Sequence, residues 1–330
     1  MTAPLPHFNL TRPRDVAAAV AALCDHRGSR CIGGGTDLLV NVRHGLDRPE
    51  CLIDLAGIDE LSGVEMTDAG LRIGAATSLA TLARMPQIAE QYRALVDAAS
   101  GIAGPGHRAM GTVGGNLCLD TRCIYYNQSE WWRSANGYCL KLKGDICHVA
   151  PQGQRCHAAF CGELAPALMV LDAEVEVAGS EGRRRIPMAD LYTDDGRAHL
   201  TLVAGELVVA VHLPAARSPS RYAKVRTRGA IDFPLAGAAV ALSIDRTGAV
   251  ASLRVGLTGT NPRPLLLDGT AEFVGHVLDD EALQRLDRLV RRQTAPMRTT
   301  IASAHYRRIA AAALVRRLAT ELRMPPGPVP

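Results

Sequence analysis

The sequence predicts an α+β protein of two or three domains, on three observations. Its 330 residues exceed what one ordinary hydrophobic core organises. Through the first two-thirds, short apolar stretches ended by glycine are interspersed with helical segments. Beyond residue 220, three strands of an antiparallel sheet are followed by two amphipathic helices.

Composition removes several function classes. Hydrophobic residues make up 47% and charged residues 21%, the balance of a soluble globular chain. A net charge of +4, from 37 basic and 33 acidic residues, is too even for a nucleic-acid-binding face. The longest apolar runs, such as 165–171 and 309–315, are too short to cross a bilayer, so no membrane association is expected. Met1 to Arg14 has no apolar segment of a secretory signal, which makes a cytoplasmic location the expectation. Nine cysteines, an odd number, in a reducing compartment argue for metal ligation or plain burial rather than a disulfide framework.

Taken in order, Pro13 to His26 reads as a helix, with Val16, Val20 and Leu23 at helical spacing and Gly28 as its stop. The strand Arg30-Cys31-Ile32 then runs into Gly33-Gly34-Gly35-Thr36-Asp37 and a short helix from Leu38. That layout suits an anion-binding turn, although it lacks the spacing of a dinucleotide-binding βαβ unit or a nucleotide-triphosphate loop. Cys51 to Leu55 is a strand closing a small first lobe. Leu71 to Gly74 is another strand, followed by a helix through about Arg84. Pro86 to Ile102 reads as one helix, and residues 103–116 as a glycine-rich connection ending in a second glycine turn, Thr112-Val113-Gly114-Gly115-Asn116. Two such turns on one domain would clasp a long ligand that carries a pyrophosphate. Downstream, Leu164 to Leu171 reads as a helix, Ala173 to Val177 as a strand, Arg185 to Pro187 as a strand and Ala189 to Tyr192 as a single turn of helix. Glu206 to Leu213 completes the set as a strand. A linker at Ala215 to Ser220 marks the domain boundary. Strands at 221–228, 235–244 and 250–259, helices at 280–293 and 299–322, and a frayed tail from Pro325 follow.

Six of the nine cysteines fall between 118 and 161. Cys123, Cys139, Cys147 and Cys156 are separated by 15, 7 and 8 intervening residues, and the stretch has no core periodicity of its own. Plain burial suits Cys24, Cys31 and Cys51, which lie in apolar segments. The central four sit instead among polar and aromatic residues, where a bound metal is a sufficient cause of folding. Spacing does not identify the contents: there is no Cys-x-x-Cys knuckle, and ferredoxin runs are denser. Iron–sulfur and zinc are the rival contents, with Cys118 and Cys161 spare.

Gly33 to Leu38 and Thr112 to Asn116 resemble the two flavin loops of the FAD subunits of molybdenum hydroxylases, the xanthine dehydrogenase family. Tyr222-Ala223-Lys224-Val225, Asp232-Phe233-Pro234-Leu235 and Tyr306-Arg307-Arg308 resemble that family's C-terminal domain, so the likeness spans essentially the whole chain. An insert of about 40 residues departs from ordinary members. Its text, Cys118 to Cys123, Tyr126 to Arg133 and Asn136 to Lys141, is similar to the β subunits of the 4-hydroxybenzoyl-CoA reductase branch.

The resemblance implies a two-lobed FAD-binding domain of the PCMH type over residues 1–218, with lobes at about 1–58 and 59–218 and the insert at about 118–160. A C-terminal domain like that of the CO dehydrogenase flavoproteins would cover 221–324. FAD would meet Ile32, Gly33, Gly34, Gly35, Thr36, Asp37 and Leu38, with its pyrophosphate at the N–H groups of Gly33 to Thr36. Thr112, Val113, Gly114, Gly115 and Asn116 would approach the flavin, with Ile102, Asp120, Tyr125 and Lys224 as further contacts. Cys123, Cys139, Cys147 and Cys156 would hold a [4Fe–4S] cluster. The implied partners are a large molybdenum-cofactor subunit and a small subunit with two [2Fe–2S] clusters, in a dimer of heterotrimers, with ferredoxin as electron donor.

No complete catalytic constellation stands out in this chain, so the implied role is electron transfer. Electrons would pass from ferredoxin through the cluster and FAD toward the partner subunits, for reductive removal of the phenolic hydroxyl of 4-hydroxybenzoyl-CoA. The alternatives are the FAD subunit of an oxidative molybdenum hydroxylase for another aromatic or heterocyclic substrate, a zinc-stabilised binding protein, and a stand-alone flavin reductase.

Overall fold

The computed structural model describes residues 5–26, 28–215 and 218–323. Strands β1 (Asn9–Thr11), β2 (Arg30–Ile32) and β3 (Cys51–Asp54) form a parallel sheet in the order β1-β3-β2. Parallel neighbours need crossovers, and the helices Val16–Asp25 and Leu38–Arg43 supply them. The first helix starts later than Pro13 suggested. Asp15 stands in extended backbone, and its carboxylate accepts the Ala18 N–H at 2.7 Å, which sets the N-terminus.

The second sheet is antiparallel and has five strands: β4 (Val64–Thr67), β5 (Gly70–Gly74), β6 (Glu174–Gly179), β7 (Gly182–Pro187) and β8 (Leu207–Pro214), ordered β4-β5-β8-β6-β7. β4 was not expected from the sequence. It is an edge strand with no buried residue, so it carries no apolar alternation to read. Val209 and Ala210 of β8 share a core with Val16, Ala19 and Ile53, which joins the first sheet to the second.

Between β5 and β6 the chain leaves this sheet for a hundred residues that build most of the site. The segment expected as one helix from Pro86 to Ile102 is two, Pro86–Gln91 and Arg93–Gly101. Tyr92 breaks it at φ −123°, ψ 52°, with its ring in the core and its hydroxyl donating to the Pro214 carbonyl at 2.9 Å. Residues 103–116 are more ordered than a connection, because Pro105–Met110 and Val113–Leu117 are both helical.

The third sheet comprises β9 (Ser220–Val225), β10 (Ala236–Ile244), β11 (Val250–Thr258) and β12 (Leu265–Leu266), antiparallel in the order β12-β11-β10-β9. Alternation along β10 divides its two faces. Ala238, Val240 and Leu242 pack on the helices Asp280–Gln293 and Ala304–Arg323, the latter beginning five residues after the expected Thr299. Ala239 and Ala241 join the main core, which contains the helix Leu164–Val170. Every residue of that helix is buried, as expected for an element packed on all sides. It fits so closely that a Cβ on Gly256 of β11 would stand 2.5 Å from the Pro166 carbonyl oxygen.

The expected linker at Ala215–Ser220 is partly described. Ala216 and Arg217 lie outside the described residues, as does the tail at 325–330, and Ser220 already belongs to β9. Of the cysteines assigned to plain burial, Cys51 is buried and Cys31 half-buried, but Cys24 is exposed. None of the helices among the described residues is long and apolar enough to cross a membrane.

Candidate functional site

The two glycine loops meet. A Cβ on Gly34 would stand 1.7 Å from the Met110 carbonyl oxygen, and one on Gly33 would stand 2.8 Å from Thr112 Oγ1. Gly35 lies at φ +68°, in the left-handed region that favours glycine. Among the described residues, the N–H groups of Gly33, Gly34, Gly35 and Thr36 find no protein acceptor. Four successive unpaired donors before a helix make a cradle for an anion, the role a pyrophosphate would fill.

The second loop works differently. Thr112 caps the helix Val113–Leu117 by accepting the Gly115 N–H at 3.1 Å, while the N–H groups of Val113 and Gly114 go to the carbonyls of Thr77 and Ala75. Its glycines serve close packing, since a Cβ on Gly114 would stand 2.9 Å from that of Ala75. Asn116 is buried, and its Oδ1 accepts the Leu164 N–H at 3.0 Å, which ties the loop to the central helix.

Ile32 ends β2, and Leu38 opens the helix after the loop. Asp37 pairs with Arg122, the residue before the first of the four cysteines, and also accepts from Asn41 Nδ2 at 3.0 Å. The guanidinium of Arg122 lies 4.8 Å from the Phe233 ring centre. Arg122 therefore joins the first glycine loop, the insert and the C-terminal domain. Sequence reasoning missed it, because an arginine beside a cysteine gives no periodic signal.

Ile102 and Lys224 lie on neighbouring segments. Burial pushes the Glu163 carboxyl up, opposed first by Lys224. The Lys224 ammonium donates to Glu163 at 2.6 Å and to the Asp232 carbonyl at 3.0 Å, and Tyr222 Oη donates to Glu163 at 3.0 Å. Lys224 Cε would lie 4.0 Å from a Cβ on Gly101, next to Ile102. The Lys224 charge is thus already paired within the protein, and its stem borders the Gly101 to Ile102 turn. Asp120 is committed to Lys141 at 2.6 Å, on the insert side. Tyr125 packs on His148 with the rings tilted by 36° and their centres 5.2 Å apart, and its hydroxyl accepts from Arg298 at 3.3 Å.

The insert closes on itself where Arg122 and Ala159 exchange N–H to carbonyl bonds of 2.7 and 2.8 Å. Inside it Cys123, Cys139, Cys147 and Cys156 line one cavity, with Tyr125, Tyr126, Lys141 and His148 among the other walls. The only helix in the insert among the described residues, Glu130–Ala135, is capped by Ser129, and the buried Arg133 donates to the His44 carbonyl at 3.1 Å. Backbone around Cys139 is strained, with Tyr138 at φ +60° and Lys143 at φ +62°. Cys118 is half-buried, and Cys161 is buried with its thiol donating to the Ala159 carbonyl; neither lines the cavity.

Cys123, Cys139, Cys147 and Cys156 bring soft thiol donors, the kind that ligate zinc or iron, to one cavity. A tetrahedral zinc site brings its sulfurs within about 3.8 Å of one another. Among the described residues no three His, Cys, Asp or Glu side chains converge tightly enough for a single ion. Burial pushes the Cys156 thiol up to about 11, opposed by the Ala158 N–H at 3.4 Å from its sulfur. The Cys123 thiol is raised by burial and lowered in turn by the N–H groups of Tyr125 and Tyr126. Amide donors aimed at sulfur stabilise thiolate, the form that binds metal.

Residues 6–216 match the family described as FAD binding domain in molybdopterin dehydrogenase, and 221–322 match the CO dehydrogenase flavoprotein C-terminal domain. The aldehyde oxidoreductase FAD-binding subunit PaoB of Escherichia coli is 37% identical over 250 residues, spanning 71% of this chain and 77% of that one. The carbon monoxide dehydrogenase medium chain of Afipia carboxidovorans is 29% identical across 94% of both chains. Among solved structures, reconstituted CO dehydrogenase from Oligotropha carboxidovorans superposes with a TM-score of 0.80 at 26% identity, covering 97% of this chain and 99% of that one. The expected fold, an FAD-binding domain followed by a CO dehydrogenase flavoprotein C-terminal domain, is the one found. The chain belongs to the FAD-binding subunits of the xanthine dehydrogenase and CO dehydrogenase family of molybdenum hydroxylases.

Proposed function

We propose that this chain is the electron-transfer subunit of a molybdenum-containing reductase of the 4-hydroxybenzoyl-CoA type. It would hold FAD against its glycine loops, between the two-lobed domain and the C-terminal domain, and a [4Fe–4S] cluster in the insert. The observation that carries the reading is that Cys123, Cys139, Cys147 and Cys156 line one cavity, in a segment tied to the first glycine loop through Arg122 and Asp37. The open N–H groups of Gly33 to Thr36 would take the pyrophosphate. Thr112 to Asn116 would border the flavin, with Ile102 and Lys224 on the facing side. The flavin domain would run over 1–218 and the C-terminal domain over 221–324.

FAD exchanges electrons singly or in pairs, and a four-iron cluster exchanges them singly. This chain's own residues would position both groups and set the charge around them. By the resemblance of the insert, its partners are a large molybdenum-cofactor subunit and a small subunit with two [2Fe–2S] clusters. A reduced ferredoxin would be the donor.

The test is anaerobic turnover of 4-hydroxybenzoyl-CoA by the purified complex with a low-potential donor. Formation of benzoyl-CoA and water supports the reading, and no turnover overturns it. A second reading, an oxidative molybdenum hydroxylase, is favoured by the relatives named as aldehyde oxidoreductase and carbon monoxide dehydrogenase subunits. Oxidation of an aldehyde or heterocycle by a complex inert toward the aryl-CoA would select it.

A further inference from the structure

A buried lysine forms part of the cysteine cavity wall. The Lys141 side chain is 6% exposed and lines the cavity with the four cysteines. Its Nζ donates to Asp120 Oδ1 at 2.6 Å, to the Thr121 carbonyl at 3.3 Å and to the Thr121 hydroxyl. The Tyr126 ring centre lies 4.3 Å from the same nitrogen. Thr121 is fully buried and is fixed in turn by donating to the Gly196 carbonyl at 2.6 Å. Asp120 is not part of the cavity wall. The Lys141 ammonium is therefore held beside the cavity by partners that lie outside its wall.

Such a pair adds little net stability, because desolvation offsets its attraction. Its field, however, acts across a low-dielectric space where charge is poorly screened. One-electron reduction of a four-iron cluster adds one negative charge to it. A cation beside the cavity favours the reduced form, and its aspartate counter-ion opposes that effect.

We propose that Lys141 is a positioning residue that raises the reduction potential of the cluster held by Cys123, Cys139, Cys147 and Cys156, and that Asp120 tempers it. The proposal rests on the cluster reading above. The test is an anaerobic redox titration of the purified complex, followed by electron paramagnetic resonance, with wild-type, Lys141→Gln, Lys141→Arg and Asp120→Asn chains. The [2Fe–2S] signals of the partner subunit serve as an internal reference. Lys141→Gln is expected to shift the four-iron midpoint to lower potential and Asp120→Asn to higher potential. Lys141→Arg keeps the charge and is expected to stay near wild type. Shifts of the same sign in Lys141→Gln and Asp120→Asn, or unmoved midpoints, would overturn the proposal. Loss of iron from both Lys141 variants would also overturn it, by making the lysine scaffolding. A wild-type complex with no four-iron signal would overturn the cluster reading, and the proposal with it.

Discussion

Lys224 shows how a residue that resemblance places at a cofactor can first be explained by its own partners. Its side chain is 5% exposed and that of Glu163 3%, at 2.6 Å from each other. Removing one partner of such a pair strands the other charge in a place that cannot solvate it. Lys224→Met is expected to destabilise the chain by about 3–5 kcal/mol in chemical denaturation. Adding Glu163→Gln should recover most of the loss, and a double variant no better than the single would contradict the account. His199 makes the second prediction at this scale. Its Nε2 is buried with no partner among the described residues, and burial pulls its pKa down to about 4. The unfolded imidazole takes its proton near pH 6.5. As pH falls below that value the unfolded chain binds the proton first, so the stability His199 contributes is full above about 6.5 and lost toward 4. Between these limits His199→Phe should lose about 1–3 kcal/mol less than wild type. Parallel stability curves for the two proteins would show that this ring does not control the decline.

Elements explain why the two glycine loops are not equivalent. The first leaves its N–H groups open, and the second spends its own on a helix cap and on Ala75 and Thr77. Their packing is tightest at Gly34 against Met110. Gly34→Ala must push the loops apart, so FAD affinity is expected to fall by at least about tenfold, equivalent to ~1.4 kcal/mol. Gly106→Ala, which meets nothing within 4 Å, is the control and should leave affinity and stability within about 0.5 kcal/mol. A Gly34→Ala protein with full flavin content would contradict the clasp. β8 and β10 were readable as apolar runs because both of their faces are buried, and the capped helix Asp280–Gln293 by its one apolar face. β4 and the break at Tyr92 were not: the first buries nothing, and the second depends on a partner 122 residues away. The helix Glu130–Ala135 is one turn and a half held by Ser129, too short for periodicity to reveal.

For the whole molecule, the proposed cluster is what the insert would add to the flavin scaffold. Residue types alone marked the four cysteines as a ligating set, because nothing else in 118–160 had a core pattern. The cavity they share and the Arg122–Ala159 closure that isolates it needed the fold. Contacts from Arg133 to His44, from Arg122 to Asp37 and Phe233, and from Arg298 to Tyr125 tie the insert to both ends of the chain. Lys141 and the Glu163 pair were invisible earlier, since their meaning lies in partners distant in sequence. The most direct test is iron, acid-labile sulfide and flavin analysis of the anaerobically purified complex, wild type beside Cys139→Ser. Cys139→Ser is expected to lose up to about four iron and four sulfide per chain, as for a [4Fe–4S] cluster, while keeping its FAD. Equal iron in the two complexes, or zinc in place of the missing iron, would contradict it.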